Sequence, residues 1–384
     1  MKLSNVFCFV GMVVHGAQGS ASFANNGVNC ASQLFRRLEG KERERSLGNG
    51  MDFNESEWVS KKYDDPSKKD ILPKRLPAPS FLQVFEYKDD EQPDGSSPSL
   101  DLQQLGKTVS DIIESNLSQT GALLFRNMPI DTPSDFGRFI KAVECWQPMR
   151  YCNFGIGRQQ VAGIDLSTNI PPSHTLQLHN EMAYSPKPPR RIAFYCLQPA
   201  AIGGESLLGT NQALTDVLPQ NVLEEVRNCG GILYIRRHFD EHGPAGPDPS
   251  QLRLTSWQSK CYGATTIDEA RQYFINQGYK DVDVDDENTI TARFVHNGFV
   301  KDASSSDDVW FNIINTGLPT MVDGTKFPAR LVALVEWYQW KVATVVKLRK
   351  NDWLVLDNQR VLHGRLPYQD GEGFPRQLLT VYSS

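Results

Sequence analysis

The sequence predicts a mostly β fold with flanking helices (α+β), two sheets facing each other as a double-sheet jelly roll, and three observations lead there. Short apolar runs of strand length recur at 121–126, 191–198, 231–236, 289–295, 309–314, 353–357 and 377–382. Against them, the C-terminal half holds one long helical pattern, at 329–346. The chain also enters this region through a helix, a strand and a second helix between Leu102 and Val143, and it carries no internal repeat.

Taken in order, the chain divides into three. Residues 1–24 place Lys2 before the apolar run Val6 to Val14 and then small residues, the three-part shape of a signal or targeting leader. The run is too short to span a bilayer, so no stable membrane span is expected. Such a leader points to the secretory pathway or, because Ala21-Ser22-Phe23-Ala24 is similar to the junction of bipartite plastid leaders, to an organelle; a cytoplasmic protein with an apolar N-terminus is the alternative. In a secreted chain Asn54-Glu55-Ser56 and Asn116-Leu117-Ser118 would be glycosylation sequons. Residues 25–80 are charge-dense, with Arg36-Arg37 and Lys41-Glu42-Arg43-Glu44-Arg45, and have too little apolar surface to offset the entropy of ordering: a flexible extension. Residues 81–384 form the folded domain, within which 89–99 is a further polar loop. Leu102, Leu105, Val109, Ile112, Ile113 and Leu117 recur at helical spacing, 121–126 follows as a buried strand, and Thr132-Pro133-Ser134-Asp135 opens the next helix.

Composition excludes several classes. A net charge of -5 with mixed signs offers no basic stripe, so nucleic acid is not an expected partner. The seven cysteines include no CxxC pair, which argues against a zinc ribbon or a dithiol redox site; they read as mostly buried free thiols.

The chemistry concentrates in few residues. His179 and Glu181 in Leu176-Gln177-Leu178-His179-Asn180-Glu181-Met182 would share one face of a strand and could hold one ion together. An apolar strand, a turn and His363 follow in 353–365, and two histidines with one carboxylate bind three positions of Fe(II), leaving three open. Arg376, at the head of the last strand, offers a guanidinium fork suited to a carboxylate; a surface ion pair is its other reading.

In this pattern the chain resembles the taurine dioxygenase (TauD/TfdA) and clavaminate synthase-like family of Fe(II)- and 2-oxoglutarate-dependent dioxygenases. His179-Asn180-Glu181 is followed at family-like intervals by Ser206, His363 and Arg376. Flanking segments match as well, among them Ser167-Thr168-Asn169-Ile170-Pro171-Pro172, Gly203-Gly204-Glu205-Ser206, Val309-Trp310-Phe311-Asn312 and Val361-Leu362-His363-Gly364-Arg365. The likeness runs from about residue 101 to the C-terminus. It implies a double-stranded β-helix of cupin-like type, iron on His179, Glu181 and His363, and 2-oxoglutarate on Arg376 and Ser206, where the family more often has Thr. Thr168 and Asn312 become pocket-lining candidates for substrate, with strand packing as their alternative. Also implied are O2 consumption, decarboxylation of 2-oxoglutarate to succinate and CO2, and oxidation of a C–H bond in a small-molecule substrate, an amino acid or natural-product intermediate. With Glu181 in the carboxylate position, halogenation is disfavoured.

Two other motifs are weighed and set aside. His238-Phe239-Asp240-Glu241-His242 has the spacing of a helical zinc pair but runs into Gly243-Pro244, so a lid loop is the reading. The acidic stretch 281–287 lacks the glycine of a calcium loop and reads as a solvated turn. Two competing functions stay open: a non-catalytic jelly-roll binding or secreted interaction protein, and a cupin-type metal enzyme that needs no oxoglutarate. The sequence leaves substrate identity and oligomeric state undetermined.

Overall fold

The computed structural model describes residues 80–87, 101–149, 159–167, 170–243, 255–261, 263–302 and 305–384. The leader, nearly all of the charged extension, the 89–99 loop, most of the lid loop and Thr168 lie outside the described residues.

The first described unit is a crossover. Strand Leu82–Glu86 pairs in parallel with Ala122–Arg126, and parallel neighbours need a long connection, which helix Leu102–Thr120 supplies. Asp101 caps that helix by accepting from the backbone N–H groups of Gln103 and Gln104, and Gly121 ends it at a φ of 93°. Helix Pro133–Ala142 starts where the sequence places it, with Thr132 as cap and Pro133 in the first turn.

An eight-stranded sheet forms around these elements. Its main path runs Leu82–Glu86, Ala122–Arg126, Trp353–Asp357, Arg191–Gln198, Gln377–Ser383, Ile164–Leu166, Gln160–Val161. A four-stranded sheet faces it, in the order Thr344–Val346, Ser206–Thr210, Val361–Arg365, Leu176–His179. Strand alternation sorts the side chains between layers. Ile192, Phe194, Cys196, Leu354 and Leu356 point between the sheets to meet Leu208, Val346 and Val361. Ala193, Tyr195, Leu197, Trp353 and Val355 point the other way, onto the helices through Ile113, Phe136 and Phe139. Strands covered on both faces explain the unbroken apolar runs of the sequence. The arrangement is the expected double-stranded β-helix with flanking helices.

Strands Ser206–Thr210 and Thr344–Val346 pair directly, Leu208 opposite Thr344, so everything between them is an insertion returning to the same sheet edge. The insertion carries its own five-stranded sheet, centred on Ile232–Phe239 and Ile290–His296, and helix Ala329–Val342. It also corrects three expectations. The helical pattern drawn to residue 346 stops at Val342, because the β-branched Thr344-Val345-Val346 pair as a strand. The run 309–314 is a strand over Asp308–Trp310 and then a 3-10 turn, Ile314–Thr316. Part of the acidic stretch forms edge strand Asp281–Val284, where Arg293 across the pair meets Asp281 at 3.1 Å and Asp283 at 2.5 Å and offsets their repulsion. Among the described residues no helix is long and apolar enough to cross a membrane.

Candidate metal centre and cosubstrate pocket

Strand pairing brings the two histidines together across 184 residues of sequence. His363 lies directly opposite His179 in the four-stranded sheet, with ring centroids 4.4 Å apart. The register breaks just after His363, where Gly364 presses on the neighbouring strand: a Cβ there would lie 2.5 Å from the Leu176 carbonyl oxygen. Only glycine allows that approach.

Glu181 arrives by a different route from the one the strand period suggests. The strand ends at His179, and Asn180 to Ala183 turn sharply, with Met182 at a φ of 54° and the Ala183 N–H donating to the Asn180 carbonyl. The turn delivers the carboxylate so that Glu181 Oε2 lies 3.6 Å from His363 Nε2, both side chains being buried. One ligand atom from each of His179, Glu181 and His363 lies within 4.8 Å of the others, the one such trio of candidate ligands among the described residues.

The protonation pattern suits a cation. A carbonyl can only accept, so the 2.8 Å contact between His179 Nδ1 and the Gln177 carbonyl makes Nδ1 the donor and leaves the Nε2 lone pair for a metal. His363 Nδ1 is buried without a hydrogen-bond partner, while its Nε2 faces Glu181. Two imidazoles and a carboxylate closing on one point fit the facial donor set of Fe(II).

A second group of residues holds the turn in place. Asn358 is fully buried and grips the backbone of Glu181 from both sides: its Oδ1 accepts from the Glu181 N–H at 2.7 Å and its Nδ2 donates to the Glu181 carbonyl at 2.9 Å. Asn180 donates to the Asn358 carbonyl at 2.7 Å and to Asn211 Oδ1 at 3.1 Å. Gln339 donates to the Leu178 carbonyl at 2.9 Å. Sequence reasoning missed all of these, because a buried amide carries no period or spacing that marks it; only Asn180, as the middle of His-x-Glu, sits inside a motif.

Phe194, with its ring 5.3 Å from that of His363, walls the centre on the side of the large sheet. Two residues along the same strand face is Cys196, opposite Leu378, and its thiol is pushed up to about 12 by burial, which keeps it protonated and inert. Arg376 adjoins it. The guanidinium lies 5.1 Å from the Tyr368 ring centroid, with Nη1 3.5 Å from Ser167 Oγ, and burial pulls it below its ordinary value. Among the described residues no carboxylate comes within ion-pair distance of it. The glycine pair is required here: Gly203 and Gly204 have φ of 73° and 71°, and a Cβ on Gly204 would sit 3.3 Å from Arg376 Nε. Ser206 follows that turn, buried and opposite Arg365.

The remaining sequence candidates fall elsewhere. Asn312 is fully buried, donating to the Gly298 carbonyl at 2.9 Å and accepting from the Ile314 N–H at 3.2 Å, so its amide braces two turns. The histidines of the zinc-like motif separate: His238 is buried on a strand, while His242 is exposed and 3.6 Å from Glu241. Among the described residues Cys145, Cys196, Cys229 and Cys261 are free thiols, Cys196 and Cys261 buried and the other two half-buried, fewer buried than the sequence suggests.

Comparison with known proteins bears on the family of the chain. The chain is 26% identical to a clavaminate synthase-like protein of Arabidopsis thaliana over 71% of its own length and 84% of the relative's. It is 25% identical to the dapdiamide synthesis protein DdaC of Enterobacter agglomerans over 67% and 81% of the two chains. The solved structure of PvcB from Pseudomonas aeruginosa overlaps at a TM-score of 0.43 and 14% identity, covering 73% of this chain and 81% of that one. The family model described as taurine catabolism dioxygenase TauD, TfdA family matches residues 89–382. That match spans both halves of the His-x-Glu and His centre, and the chain therefore belongs to the TauD/TfdA family of dioxygenases, non-haem iron enzymes that depend on 2-oxoglutarate.

Proposed function

We propose that His179, Glu181 and His363 ligate Fe(II), that Arg376 and Ser206 bind the distal carboxylate of 2-oxoglutarate, and that the enzyme hydroxylates an unactivated C–H bond of a small molecule. The observation that carries this reading is the closure of two imidazoles and one carboxylate on a single point, together with a half-buried arginine that among the described residues has no carboxylate within ion-pair distance. When bound, the iron supplies O2 activation coupled to the decarboxylation of 2-oxoglutarate to succinate and CO2, one oxygen atom going to succinate and one to the substrate.

The protein's own groups do the rest. Glu181 offsets part of the cation's charge, and the Gln177 carbonyl holds His179 in the ligating tautomer. Arg376, desolvated, attracts a carboxylate more strongly than it would in water. The Ser206 hydroxyl would add a donor to that carboxylate, and Phe194 keeps the wall behind His363 apolar. The relative named for dapdiamide synthesis supports an intermediate of a biosynthetic route as the substrate class.

The test is an anaerobic titration of the full chain with Fe(II) and then 2-oxoglutarate, following the visible metal-to-ligand charge-transfer band. The band is expected for the native protein and for Arg376→Ala, with the variant needing about 10- to 100-fold more 2-oxoglutarate, the scale of a charged hydrogen-bonded pair. No band from folded native protein overturns the assignment, as does an Arg376→Ala curve that superimposes on it.

A further inference from the structure

Among the described residues, buried or half-buried arginines have acceptors, with one exception outside the cosubstrate pocket. Arg126 meets Asp352, Arg190 meets Asp357 at 2.9 Å, Arg360 meets Asp302 at 3.3 Å, and Arg365 donates to the carbonyls of Pro171 and His174 at 3.0 and 2.8 Å. Arg236 is half-buried, and among the described residues it stacks on a ring instead: the guanidinium carbon lies 3.9 Å from the centroid of Tyr184. Its Nε is buried with no hydrogen-bond partner.

The location gives this exception its meaning. Arg236 belongs to strand Ile232–Phe239 of the insertion, on the same face as the buried Tyr234 and His238, and so points inward. Tyr184 follows Glu181 by three residues, in the turn that delivers the carboxylate, and packs partly buried against the cluster shared by the small sheet and the insertion. The stack therefore marks where the insertion meets the metal-binding turn. Stacking on an aromatic face fixes the plane of a guanidinium and leaves its edge for planar, two-point recognition of a carboxylate. A buried donor without an acceptor costs free energy that a ligand anion would offset.

We propose that Arg236, held on Tyr184, receives a carboxylate of the primary substrate, so that the substrate class is a small carboxylic acid. The inference rests on the metal centre proposed above and deepens it: Arg376 takes the carboxylate of the cosubstrate and Arg236 that of the molecule to be oxidised. It makes Arg236 a specificity-determining residue and Tyr184 the group that orients it.

The probes are the proteinogenic amino acids and a set of aliphatic and aromatic carboxylic acids, each paired with its primary carboxamide. Each is added anaerobically to the native Fe(II) and 2-oxoglutarate complex, and the shift of the visible band is recorded. Acids are expected to shift the band where their amides do not. Their half-saturating concentration should rise about 10- to 100-fold in Arg236→Gln, the scale of removing a hydrogen bond to a charged group. Tyr184→Leu should weaken the same acids and Tyr184→Phe, which keeps the ring, should not. Saturation by 2-oxoglutarate reports on Arg376 and serves as the internal control. Amides as effective as acids, no acid acting at all, or an unchanged Arg236→Gln curve each overturn the proposal. Failure of the band to form without any probe instead sinks the metal assignment, so the two ideas fail separately.

Discussion

At the scale of single residues, the candidate metal trio is braced by groups outside it. Asn358 holds the backbone of Glu181 through two hydrogen bonds, and outer-shell partners of this kind are worth about 10- to 100-fold in metal affinity. Asn358→Ala is expected to weaken Mn(II) or Fe(II) binding by about that factor, measured by calorimetry on protein whose circular dichroism is native. Equal affinities would mean that the turn holds itself. His296 gives a pH dependence. Burial lowers its pKa below the ordinary 6.5, and its Nδ1 accepts from the Gly298 N–H, so the folded protein keeps it neutral. The unfolded chain takes up that proton first as pH falls. Stability from this group is therefore complete above pH 6.5 and is lost as pH drops below it. His296→Asn, which keeps an acceptor that cannot titrate, should melt with a shallower decline between about pH 7 and 5 than the native protein. Parallel melting curves against pH would refute this.

At the scale of elements, the pairing of Leu176–His179 with Val361–Arg365 sets the spacing of the ligands, and Gly364 sets the pairing. Gly364→Ala would drive a methyl to 2.5 Å from the Leu176 oxygen, which a backbone atom inside a sheet cannot yield. The expected result is a loss of about 1–3 kcal/mol of stability in denaturant titration, the range for overpacking, together with weaker metal binding because the two histidine strands part. A variant as stable as the native chain would show that the strands can slip locally. Arg365 reinforces the same junction by tying strand Val361–Arg365 to the 170–174 segment through the Pro171 and His174 carbonyls.

At the scale of the molecule, the core lies in layers, helices against the large sheet, the large sheet against the small one, and the small sheet against the insertion. Each layer packs residues far apart in sequence, so the domain should melt as a unit. We propose that residues 81–384 make up that unit. A chain beginning at residue 80 is then expected to show one cooperative transition at a melting temperature close to that of the full chain, by calorimetry. Two transitions, or a drop of about 10 °C or more, would place stabilising contacts before residue 80; on a domain of this size 1 kcal/mol moves the midpoint by only about 2–4 °C.

The sequence by itself determined the fold class and marked the candidate metal trio that the structure brings together. Strand periodicity is local, and His179, Glu181, His363 and Arg376 are rare residue types whose order along the chain marks them. It also set the cap Thr132, since capping involves neighbours within one turn. Only the tertiary structure decided that Glu181 comes from a turn and not from the strand, that Asn358 holds that turn, and that Arg236 meets Tyr184. Those facts depend on which distant segments become neighbours, and a buried amide or a stacked arginine has no short-range pattern that would reveal its partner beforehand.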